Sequence, residues 1–227
     1  MPTPAAVLWD LDGTLVDTEP YWIAAEQDLA RAHGVTWTHD DALTLVGLAL
    51  LDSGHVLRTA GVDLPEREIV DVLVARVVER IDEEIPWRPG ARTLLAELAA
   101  VGVPSAVVTM SYRSIADRVA AGLPAGTFGA LVTGDTVRHG KPHPEPYLVA
   151  AQRLGVDVTR CVAIEDSRTG LASAEAAGAR SVAVPLLVDL PPAPGRSRVA
   201  SLVDLTVDDL GRIAAGAVID RLAEPVA

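Results

Sequence analysis

Lysine is almost absent from this chain: of its 19 basic residues one is a lysine, Lys141, and the rest are arginines. Cysteine occurs once, at Cys161, so no intrachain disulfide can form. Its position at the head of an apolar run argues for packing rather than reactivity. Aromatic residues are sparse, with four tryptophans, three tyrosines and one phenylalanine, so alanine, valine and leucine must build the interior. No uncharged apolar run reaches the length of a membrane span. Positive charge is scarce overall. The 31 acidic residues leave a net charge of −12, which argues against nucleic acid or an anionic membrane as partner. The first strand pattern begins at Val7, leaving no room for a cleavable signal peptide, so the cytoplasm is the expected compartment.

What is present is concentrated at strand ends. Val7-Leu8-Trp9-Asp10-Leu11-Asp12-Gly13-Thr14 is an apolar run that gives way to two carboxylates, a glycine turn and a hydroxyl. Ligands of an open parallel sheet bind outside the carboxyl ends of the strands, so Asp10 and Asp12 fall where chemistry is expected. Two such carboxylates repel each other unless a cation or proton intervenes, and Mg²⁺, which prefers oxygen ligands, suits the position. A second run, residues 105–109, ends in Thr109, followed by Met110 and Ser111. The Thr109 hydroxyl and the N–H after it are suited to holding a phosphoryl oxygen. A third run, residues 161–165, ends in Glu165-Asp166, either of which supplies the second carboxylate that a metal beside Asp10 needs. Ser167 then reads as an N-cap, residues 168–177 as a helix and Gly178 as its stop. Lys141 sits in Gly140-Lys141-Pro142, a stiff loop that would hold a compact positive charge between a carboxylate and a phosphoryl oxygen.

The length suits one core domain plus an insert. After Thr14 the chain shows helical patterns over residues 17–33, 39–46, 49–60 and 65–84, with no strand among them. From Trp87 onwards helices and strands alternate: helix 90–101, strand 105–109, helix 112–121, strand 130–133, helix 144–154, strand 161–165, helix 168–177 and strand 181–184. A proline-rich loop at 190–195 and a tail helix over 207–222 complete the reading. Such alternation implies an α/β fold: a Rossmann-like parallel sheet with helices on both faces, interrupted by an inserted helical bundle. Residues 1–16 and 88–227 form the expected core domain and residues 17–87 the cap. Hinges are expected near 15–18 and 86–89.

The four motifs, in order and over roughly residues 5–185, resemble the haloacid dehalogenase superfamily, in its phosphatase and β-phosphoglucomutase-like branch with a helical cap after the first motif. The resemblance implies that Asp10 is the nucleophile and forms an aspartyl-phosphate. Asp12 would be the acid and base for the leaving group and water, while offering a metal its main-chain carbonyl. Thr109 and Lys141 would hold the phosphoryl oxygens, and Mg²⁺ would bridge Asp10, Asp166 and substrate. Glu165 would ligate the metal directly, act through water, or orient Lys141. Met110, Ser111 and Arg113 are further candidates for contact with substrate.

Sugar-phosphate mutases of this type carry a basic residue in the cap loop, whereas residues 45–53 here hold none, the next being His55 and then Arg58, which stays a candidate. Hydrolysis of a small phosphomonoester, of sugar-phosphate or phosphoglycolate type, is therefore the expected reaction. A sugar phosphomutase, a non-catalytic phosphometabolite-binding protein and a dehalogenase are the alternatives. The intact Asp10 and Asp12 pair speaks against the last two. His139 and His143 flank Lys141 and read as surface residues, while Trp22 and Tyr21 read as cap packing. A monomer or homodimer is expected.

Overall fold

The computed structural model describes residues 3–222; the ends of the expected core domain, 1–2 and 223–227, lie outside this range. Its centre is a parallel six-stranded sheet: β1 (Val7–Trp9), β2 (Ser105–Val108), β3 (Ala130–Val132), β4 (Val162–Glu165), β5 (Arg180–Ala183) and β6 (Ser197–Arg198). The spatial order is β3-β2-β1-β4-β5-β6, every neighbouring pair parallel. The order reverses around β1, the first strand in sequence, which makes the ends of β1, β2 and β4 the natural crevice.

The strands read as continuous apolar runs because both faces are covered. On one face Val7, Trp9, Val107 and Ile164 meet α5 (Ala91–Ala100), α6 (Arg113–Ala121) and α9 (Val207–Ala214). On the other, Leu8, Ala106, Val108 and Ala163 meet α7 (Glu145–Leu154) and α8 (Arg168–Ala176). Alanines dominate this second face, so its helices pack closely. Each face buries one of the scarce aromatics: Trp9 on the first and Tyr147 on the second are the largest fully buried side chains.

Between β1 and α5 the chain makes only helices: α1 (Glu19–Ala32), α2 (His39–Leu43), α3 (Leu50–Thr59) and α4 (Glu66–Glu83). Apolar residues of α4 at Ile69, Leu73, Val77 and Ile81 keep a helical spacing and are buried. They join the cluster that also covers one face of the sheet, so insert and sheet share a core. Entry and exit run side by side: Val16 pairs antiparallel with Trp87, the Asp17 N–H donates to the Pro86 carbonyl, and the Arg88 N–H donates to Leu15. The paired crossing occupies the segments expected as hinges.

Two expectations need correction. The tail helix ends at Ala214, not near residue 222, because Gly216 takes φ +102° beyond the last turn and reverses the chain. The returning segment then pairs with β6 through Arg198 N–H to Ile219 and Arg221 N–H to Arg198, forming a strand edge that the apolar tail pattern concealed. The helix expected over 39–46 closes at Leu43, and turns continue to Gly47, which has φ +78°.

Candidate active site

β1, β2 and β4 end side by side, with Trp9 in register with Val107 and Ile164, so Asp10, Thr109 and Asp166 emerge as neighbours. The turn after β1 is tight. The Leu11 carbonyl accepts from Thr14, Leu15 and Val16, and Gly13 has φ +83°. A Cβ at Gly13 would lie 2.0 Å from Asp166 Oδ2, so only glycine lets the turn meet that carboxylate.

Lys141 reaches into this crevice, its Nζ 2.6 Å from Asp10 Oδ1 and 2.5 Å from Glu165 Oε1. Glu165 is fully buried and also accepts from the Tyr147 hydroxyl at 2.5 Å and from Ser167 at 3.0 Å. Here it holds Lys141. The Lys141 backbone N–H donates to Met110 Sδ at 3.2 Å, which ties the lysine loop to the end of β2.

Asp12 is held by four donors. Its Oδ1 accepts from the Thr18 hydroxyl (2.6 Å) and the Trp22 indole (3.2 Å), and its Oδ2 from Ser111 (2.7 Å) and Thr109 (3.2 Å). Two of these donors come from the start of the helical insert, so the insert positions a core carboxylate. The backbone N–H groups of Asp12 and Met110 have no acceptor among the described residues, leaving donors for an anion beside Asp10.

The site is short of positive charge. Burial pushes the Asp10 pKa up to about 7, with Glu165 adding to the rise and Lys141 opposing it. Burial, then Asp10 and Glu165, raise Asp166 well above the carboxylate range, and its side chain has no hydrogen bond among the described residues. For Lys141, burial works downwards, but the adjacent Asp10 and Glu165 outweigh it and the ammonium is retained. Oxygen atoms of Asp10, Glu165 and Asp166 lie within 4.8 Å of one another. An all-oxygen donor set with an unpartnered buried carboxylate fits a hard divalent cation.

The cleft above these groups is closed by the helical insert, which contributes Glu19, Trp22, Glu26, Leu45, Leu48 and Leu73. The structure brings together Asp10, Asp12, Thr109, Met110, Ser111, Lys141 and Asp166 along its floor. Arg113 is not brought in: it is half-exposed and pairs with Asp117 at 2.7 Å, four residues along the same helix. Arg58 likewise lies outside, 3.9 Å from Glu66. His139 and His143 are exposed, and His139 Nδ1 lies 2.7 Å from Glu145. Sequence reasoning did not single out Thr18, Tyr147, Glu19 or Glu26, and it placed Trp22 mainly in cap packing. The shared helical face of residues 19, 22 and 26 was the available signal.

Comparison with known proteins agrees with this geometry. A model of the haloacid dehalogenase-like hydrolases matches residues 4–178. Hexitol phosphatase B of Escherichia coli K12 is 32% identical over 228 residues, spanning 92% of this chain and 99% of its own. The phosphorylated carbohydrates phosphatase of Thermotoga maritima is 30% identical, covering 76% of this chain and 81% of its own. The crystal structure of CbbY from Rhodobacter sphaeroides in complex with phosphate superposes with a TM-score of 0.79 at 29% identity, covering 88% of this chain and 96% of that one.

Proposed function

Because the chain belongs to the haloacid dehalogenase-like hydrolases, in their phosphatase branch, we propose that it is a Mg²⁺-dependent phosphatase of small sugar-type phosphomonoesters working through an aspartyl-phosphate. The observation that carries this reading is the pairing of Asp10, bonded to Lys141, with an Asp12 carboxylate held free of any cation by four neutral donors. One carboxylate is placed beside positive charge, and the other is oriented for proton transfer.

Substrate phosphate would take the Lys141 ammonium, the Thr109 hydroxyl and the unpaired N–H groups of Asp12 and Met110. With Asp12 having taken up a proton from solvent as the ester binds, an Asp10 oxygen attacks phosphorus, the ester P–O bond breaks, and Asp12 gives that proton to the departing alkoxide. Asp12 then takes a proton from water as the water oxygen attacks the phosphoryl group, which frees phosphate and restores Asp10. Glu165 and Tyr147 keep Lys141 aimed throughout. Mg²⁺ would be held by Asp10, Asp166 and the Asp12 carbonyl, with Glu165 nearby, and when bound it offsets negative charge on the carboxylates and the phosphoryl oxygens. Residues 17–87 act as a cap over a core of residues 1–16 and 88–227, moving on the paired crossings at Val16 and Trp87.

The test is phosphate release from a panel of phosphomonoesters with Mg²⁺, run beside Asp10→Asn and beside EDTA. Turnover of several small esters that both Asp10→Asn and EDTA abolish is expected. Turnover that survives Asp10→Asn would overturn the mechanism, and no release from any ester would overturn the phosphatase.

A further inference from the structure

The wall of the cleft opposite the reacting groups has an unusual composition for a site that receives an anion. Lys141 is the only cationic side chain among the described residues lining the cleft, and it belongs to the floor. The insert contributes mostly apolar side chains, the Trp22 indole, the Ser53 hydroxyl and two carboxyl groups, Glu19 and Glu26, both on α1 and both facing the cleft. Glu26 lies one helical turn beyond Trp22, about 6 Å further from Asp12 along the helix. It is 5% exposed. Its Oε2 accepts from the Trp37 indole at 3.2 Å, whereas Oε1 has no partner among the described residues. Glu19, 9% exposed, makes no side-chain hydrogen bond among them.

The unpaired oxygen faces the cleft, where a ligand hydroxyl can pair with it. Trp37 fixes the Glu26 side chain, so the free oxygen is presented rather than mobile. A second phosphate on the same substrate would instead meet carboxyl oxygens and leucines, with no donor charge to offset it.

We propose that Glu26, held by Trp37, forms a distal subsite for the hydroxyl groups of an uncharged polyol chain, and that the substrate is a monophosphate whose leaving group carries no second anion. This rests on the phosphatase reading and names the substrate class of that same cleft. Burial pushes Glu26 up to about 7, and burial together with Asp12 and Glu26 pushes Glu19 up to about 8. Near neutrality the two groups therefore donate as well as accept, as a row of hydroxyls requires.

The experiment measures kcat and KM of the full chain with Mg²⁺ for a linear polyol monophosphate, the terminal bisphosphate of the same polyol, and phenyl phosphate, which has no hydroxyls. The wild type is expected to prefer the monophosphate over the bisphosphate by about a hundredfold. Glu26→Leu should lower the ratio of kcat/KM for the polyol monophosphate to that for phenyl phosphate by about tenfold, chiefly through KM. Glu26→Gln, which keeps a donor and an acceptor, should hold that ratio within about threefold. A ratio that Glu26→Leu leaves unchanged, or equal use of the bisphosphate by the wild type, overturns the subsite while leaving the phosphatase standing. No phosphate from any ester, phenyl phosphate included, overturns the phosphatase reading and this one with it.

Discussion

Glu26 is buried, and that burial raises its pKa from the ordinary 4.5 to about 7 against the opposing hydrogen bond from Trp37. The folded chain thus holds the proton more tightly than the unfolded chain does. The stability this contributes is fully present below about pH 4.5 and is lost as pH rises through about 7. Glu26→Gln has no proton to lose. Its stability relative to wild type should therefore be greater at about pH 8 than at about pH 5, by about 2–3 kcal/mol, or roughly 5–10 °C in Tm. Thermal melts of both proteins at the two pH values check this, and an equal difference at both would mean Glu26 stays ionised in the fold. The side chain also marks the limit of what sequence can tell. Asp10, Thr109, Lys141 and Asp166 were legible because each ends a strand or sits in a stiff loop, and the ends of parallel strands converge whatever else the fold does. Glu26 was not legible: its face of α1 follows from helical spacing, but what lies opposite depends on how the insert docks.

α8 illustrates the same division at the scale of an element. Its start and stop were readable from Ser167, which accepts from the Gly170 N–H, and from Gly178 at φ +89°. Gly170 inside the first turns runs against helix propensity, since glycine in a helix costs about 1 kcal/mol relative to alanine. The structure supplies the reason. A Cβ at Gly170 would stand 2.0 Å from the Glu165 carboxyl group, which occupies that space while holding Lys141. Gly170→Ala, stabilising on helix propensity alone, should instead destabilise the protein by about 1–3 kcal/mol. It should also lower kcat by displacing Glu165 from Lys141. Denaturant unfolding and steady-state kinetics on one preparation test this, and a more stable, fully active variant would contradict it. The tail was misread for a complementary reason. Residues 215–222 continue an apolar pattern that suits a helix, but Gly216 and the open edge of β6 offer a strand, and tertiary pairing decides.

Across the whole molecule the shortage of positive charge becomes a design with one weak point. The parallel sheet and the helical insert were both readable from the switch between helical and alternating patterns, and the two share a core, so cap and core are coupled through apolar contact. Among the described residues, no helix is long and apolar enough to cross a membrane. Among the described residues lining the cleft and paired beneath it, Asp10, Asp12, Glu19, Glu26, Glu165 and Asp166 face one lining cation, Lys141, while the buried Arg88 donates to the Gly13 carbonyl. Burial raises Asp10, Glu19, Glu26 and Asp166 above the ordinary carboxylate range, which relieves part of this through bound protons, and Asp166 is left without a hydrogen-bond partner among the described residues. A divalent cation bound only by the native chain should therefore stabilise the entire fold. At a hundredfold excess over its Kd, Mg²⁺ should add about 2.7 kcal/mol, which for a chain of this size is roughly 5–10 °C in Tm. EDTA should reverse the gain. Asp166→Asn should raise the Tm of the metal-free protein near neutral pH, because the buried side chain no longer has to take up a proton on folding, and should flatten its response to Mg²⁺. Melting curves of both proteins over a Mg²⁺ titration separate the two effects. If Asp166→Asn kept the full Mg²⁺-dependent rise, the cation would have to sit away from Asp166, and the charge balance of the cleft would need another source.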